Sequence, residues 1–137
     1  MKKLILTTAI LMCSFLKAQT INLEVNMSGF KSNTGNVKVG LYDSKGTFLK
    51  STLVSLSSEI KDQQAKVVFK GLKKGEYAVS IYHDENNNGV MDKNMMGIPK
   101  EDYASSNNAK GFMGPPKYED AKFIANNDLK IKIKLNE

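Results

Sequence analysis

The chain has no arginine, a single histidine and a single cysteine, and each shortage removes a class of chemistry. Arginine supplies the planar forks that read phosphates and guanine edges. A chain whose cations are all lysine therefore carries its basicity as solubility, not as a nucleic-acid surface. One histidine and one cysteine cannot build the usual zinc site. There is no serine elbow, no phosphate-cradling glycine loop and no metalloprotease helix. A hydrolase working through loop carboxylates or His83 is the enzymatic alternative, but glycoside hydrolysis needs two facing carboxylates that sequence cannot supply. The reading favoured is a binding or structural module that is not an enzyme.

The one long apolar run lies at the start. Lys2 and Lys3 precede Leu4 to Leu16, and Ala18 offers a small residue for cleavage, the layout of a secretory signal peptide over residues 1–18. A lipoprotein signal at Cys13 is disfavoured by Met12 before it, where a small residue is expected. Removing 1–18 takes away the cysteine, so the exported chain has no disulfide. It also removes Lys2, Lys3 and Lys17, lowering the net charge from +6 to +3. Residues 19–137 suit one domain, periplasmic or extracellular, with no membrane span after cleavage.

Alternation with period two dominates that domain. Ile21 to Met27, Val37 to Leu41, Ala65 to Phe69, Tyr77 to Ile81 and Leu129 to Leu135 each place apolar residues at every second position. Weaker strands are expected at Thr52 to Leu56 and Tyr118 to Ala125. Lys130, Lys132 and Lys134 form a solvated stripe and an edge guard. About seven short strands with turns between them predict an all-β fold, an antiparallel β-sandwich of immunoglobulin or transthyretin type. From about residue 84 to 117 the alternation fails, and one long irregular loop is expected.

That loop begins with Asp84-Glu85-Asn86-Asn87-Asn88-Gly89-Val90-Met91-Asp92, the spacing of a calcium loop. Asp84, Asn86, Asn88, the Val90 carbonyl and Asp92 are the candidate ligands, and Gly89 permits the positive φ that turns them inward. Met95 stands where a bidentate glutamate is usual. Either a completing carboxylate comes from Glu101 or Asp102, with Asp43 and Glu119 as further candidates, or the site is incomplete. Few charged ligands imply weak calcium binding, on the order of 10⁻⁴–10⁻³ M. The alternative is an Asx-rich turn without metal. Strand parity places His83 on the buried face as a structural residue. Tyr103, Asn107, Asn108, Phe112 and Tyr118 either form a surface for a glycan, a peptide or an envelope protein, or pin the loop to the sandwich; the second reading is favoured.

The run Tyr82 to Asp92, then Gly97-Ile98-Pro99-Lys100-Glu101, Ser106-Asn107-Asn108, Gly114-Pro115-Pro116 and Tyr118-Glu119-Asp120-Ala121, resembles a family of small exported bacterial proteins, domain of unknown function 2141. Ala104 departs from it where a glycine is expected. Phe69 to Val79 looks like the strand–turn–strand of transthyretin-like and collagen-adhesin B-type sandwiches. Calcium loops can follow that strand there, which implies an ion at Asp84 to Asp92. The family resemblance implies no activity.

Overall fold

The computed structural model describes residues 19–136. The expected leader at 1–18, its cleavage point and Cys13 lie outside them. Eight strands form: β1 (Thr20–Ser28), β2 (Asn36–Tyr42), β3 (Val54–Glu59), β4 (Gln64–Lys73), β5 (Gly75–Asp84), β6 (Tyr103–Ser105), β7 (Phe123–Ala125) and β8 (Leu129–Lys134). A 3-10 turn spans Ser106–Asn108 and one helical turn, α1, spans Tyr118–Ala121.

One sheet runs β4-β1-β8 and the other β3-β2-β5-β6, with β7 added to the first residues of β5. Their inner faces carry the alternating residues foreseen from sequence. Leu23, Val25, Met27, Val67, Phe69 and Ile133 of one sheet meet Val37, Val39, Leu41, Val79 and Ile81 of the other in one buried cluster. The all-β sandwich is the fold, with all pairings antiparallel except β1 with β8. That parallel pair puts the lysine-studded β8 at a sheet edge, where charge discourages further strand addition.

Three local expectations change. β4 does not stop before Gly71 but runs through it. Leu23 pairs with Phe69 and Ile21 with Leu72, so an extra residue bulges there, and Gly71 takes φ 68°. Parity shifts with it and Leu72 is buried. Tyr118 to Ala121 is helical, not extended. Tyr118 and Ala121, three apart, bury one side against Tyr42, Phe48 and Ala78, while Glu119 and Asp120 sit in the first turn, where the backbone N–H groups favour acids. The long connection also contains β6, three residues too short to show a period.

β6 pairs with residues 80–82 of β5 and β7 with residues 75–77. At Val79, between them, a side chain replaces a strand. Buried Ser106 accepts the Val79 N–H on its Oγ at 2.9 Å and donates its hydroxyl to the Ala121 carbonyl.

Candidate metal centre

Asp84 ends β5 opposite Asn36 of β2. Alternation turns His83 into the core and Asp84 to the other face, where the following loop folds back and leaves it 0% exposed. Asp84 Oδ1 accepts the N–H of Asn88 at 3.2 Å and Oδ2 that of Gly89 at 2.9 Å. Asn87 and Gly89 take φ of 53° and 79°, closing the turn. A second glycine guards its root: at Gly35, φ 74°, an added Cβ would lie 2.1 Å from the Asp84 carbonyl oxygen.

The remaining predicted ligands face the same turn. Asn86 Oδ1 accepts the Asn88 N–H at 3.3 Å, and Asn88 Oδ1 accepts the Val90 N–H at 3.1 Å. The amide groups of Asn86 and Asn88 both donate to the Asp92 carboxylate, at 2.7 and 2.6 Å. The Val90 side chain points to solvent. Asp84, Asn86, Asn88 and Asp92 thus belong to one hydrogen-bonded cluster.

Residues 92–100 then form a small hairpin. Lys100 N–H donates to the Asp92 carbonyl at 2.8 Å, Lys93 pairs with Pro99, and Asn94 Oδ1 accepts the N–H groups of Met96 and Ile98. The hairpin throws Met95 into solvent and returns Glu101 to the cluster, where its Oε2 accepts the Asp92 N–H at 3.2 Å. Burial, then the carboxylates of Asp92 and Asp84, push the Glu101 pKa up, against hydrogen bonds from the backbone of Asp92 and Glu85. Tyr82, whose hydroxyl donates to the Gly89 carbonyl at 3.1 Å, is likewise raised, first by burial and then by Asp84 and Glu101.

Among the described residues no group of three or more His, Cys, Asp or Glu side chains is disposed to hold a metal. A hard cation would draw on amide and backbone oxygens as well as on Asp84, Asp92 and Glu101. The Asn86 and Asn88 amides would have to turn oxygen-first, giving up their bonds to Asp92. The donors fit calcium in kind, and their small number of charges fits weak binding.

The other candidates lie elsewhere. Asp102 pairs with Lys31 at 3.0 Å and accepts from Asn136, and Glu119 pairs with Lys45 at 2.7 Å. Asp43 lies by Tyr77 and Tyr118, whose pKa values it helps to raise. His83 is buried, edge-on to Phe30, and its Nε2 is 2.6 Å from the Thr34 carbonyl, placing the proton there. Of the five residues considered for a ligand surface, Tyr103, Asn107, Asn108 and Phe112 are exposed. Asn107 also donates to the carbonyls of Asp120 and Lys122, Asn108 accepts the Lys134 N–H, and Tyr118 is 5% exposed. Tyr118 donates to Glu76 at 2.9 Å, and burial followed by that bond pushes its pKa up to about 12. These three pin the connection to the sandwich.

Sequence reasoning missed Tyr82, Asn94 and Ser106 as organisers of the segment. Each acts through a hydroxyl or amide that leaves no period, and for Asn94 the following Gly97, at φ 78°, is the available turn signal.

The model of a bacterial family described as "Uncharacterized protein conserved in bacteria (DUF2141)" matches residues 25–132. No curated protein and no solved structure matches the chain.

Proposed function

Since the chain belongs to this DUF2141 family, which carries no assigned activity, we propose a function from the geometry: an exported, non-catalytic β-sandwich module whose connection after β5 is organised by a weakly bound calcium ion. The observation that carries this reading is the turning of Asp84, Asn86, Asn88, Asp92 and Glu101 onto one another at the end of a rigid strand. Three carboxylates in one small region repel, which adds to the burial that raises the Glu101 pKa. A divalent cation among them relieves that repulsion and supplies the positive charge the cluster lacks. Glu101 stands in for the missing ligand at Met95, brought there by the 92–100 hairpin and not by the loop itself.

The ion's role is structural. It stiffens the start of a segment that is otherwise tied down by single side-chain bonds, and so fixes the surface the module presents to a glycan, peptide or envelope protein. Thermal unfolding of residues 19–137 in EDTA and in about 10 mM calcium tests this. A dissociation constant of about 10⁻³ to 10⁻⁴ M predicts about 1.4–2.7 kcal/mol of stabilisation. That corresponds to a rise in Tm of several degrees. An unchanged Tm rejects the ion and leaves the metal-free Asx turn.

A further inference from the structure

We propose that the cleft between the 92–100 hairpin and the β5–β6 edge binds one molecule of an amphiphilic carboxylate, such as a medium-chain fatty acid. The cleft measures about 610 Å³, within the roughly 300–1,000 Å³ of small-molecule sites. Tyr42, Ser80 and Ser105 reach it from β2, β5 and β6, while Ile98 and Pro99 of the hairpin close one side and Pro115 and Pro116 another.

Two polar features make it more than an uncovered apolar face. Ser105 is 1% exposed, and its hydroxyl has no hydrogen-bond partner among the described residues. A buried hydroxyl left without one is destabilising, and a ligand's oxygen would offset that cost. Among the described residues Lys93 is the only charged one lining the cleft, and it forms no ion pair. A lone cation and a lone hydroxyl set among methionine, isoleucine and proline suit one acidic head on an apolar body. A neutral lipid gains nothing from the exposed Lys93, and a cationic one meets repulsion. The apolar surface continues outward: Ile98 and Met113, which line the cleft, are largely exposed, as are Met95, Met96 and Phe112 nearby in the chain. Such a concentration on one small domain marks a contact surface.

The inference goes beyond the calcium reading and does not need the ion. Binding is therefore measured in EDTA, which also prevents calcium soaps. Residues 19–137 are titrated with dodecanoate below its micelle concentration and with dodecyltrimethylammonium, by calorimetry and by amide NMR shifts. One dodecanoate should bind, with shifts at Ser80, Ile98 and Ser105, and the ammonium homologue should bind roughly three- to tenfold more weakly. Lys93→Glu should abolish or reverse that preference. Ile98→Lys, a change at an exposed hairpin position, should weaken both ligands. Ser105→Ala should weaken dodecanoate without lowering the Tm of the free protein, because no protein bond is lost. Absence of binding, equal affinity for the two heads, or association with anionic phospholipid vesicles in place of monomeric dodecanoate overturns the proposal.

Discussion

Residues 75–83 and residues 84–117 are consecutive, yet they are held by different means. The first stretch is strand β5 without its last residue, which buries Tyr77, Val79, Ile81 and His83 and pairs with β2 along most of its length. Its stability comes from repetition: apolar area on one face and a ladder of backbone bonds on both edges. The second stretch buries few apolar side chains and exposes Met95, Met96, Phe112 and Met113. It is shaped by single polar side chains that reach backbone groups: Asp84 to Asn88 and Gly89, Asn94 to Met96 and Ile98, Ser106 to Val79, Asn107 to Asp120 and Lys122. The difference teaches that one region answers to changes of volume and the other to changes of charge and hydrogen bonding.

Phe69→Ala should break the first region most severely. Phe69 is among the largest fully buried side chains, and its loss should cost about 3–5 kcal/mol in urea unfolding. Any response of the 84–101 cluster to calcium should survive in the fraction that stays folded. Ser106→Ala strikes the seam between the regions. Removing its hydroxyl leaves the Val79 N–H without its partner, for a loss of about 1–3 kcal/mol by the same measurement. It should also expose the Val79 amide to faster hydrogen exchange.

Glu101→Gln should sharpen the contrast through the smallest change in stability. Burial and two neighbouring carboxylates raise the Glu101 pKa above its ordinary value of 4.5. Its acid form is therefore the one the fold favours. Whatever stability this gives is fully present below pH 4.5 and is lost as the pH rises through the raised pKa. At neutral pH in EDTA the variant should be as stable as the parent or more so, by roughly 1–3 °C. In calcium the order should reverse, because the ion loses a ligand charge. A purely structural Glu101 would show no reversal.

How much of this could be read from the sequence follows the same division. The five strongly alternating stretches became β1, β2, β4, β5 and β8, because a half-buried strand has to alternate. Gly71 marks a bulge inside β4, since a glycine signals positive φ without saying whether the chain reverses. Tyr118 to Ala121 looked extended because a four-residue helix shows no more than one turn of spacing. In the cluster, Asp84, Asn86, Asn88 and Asp92 were legible because their spacing around Gly89 is a recognisable motif. Glu101 was one of several carboxylates that sequence could not rank. A hairpin that depends on the Asn94 side chain brings Glu101 to the Asp92 N–H, and Asp102 beside it turns away to Lys31.

The central claim is that the 84–101 cluster holds calcium and thereby shapes the connection. The direct measurement is a calcium titration of residues 19–137 followed by amide NMR, with magnesium as control. The account predicts saturable shifts centred on Gly89, Val90, Asp92 and Glu101, with a midpoint on the order of 10⁻⁴–10⁻³ M and little response to magnesium. Shifts that are absent, scattered over the surface lysines and acids, or matched by magnesium would contradict it.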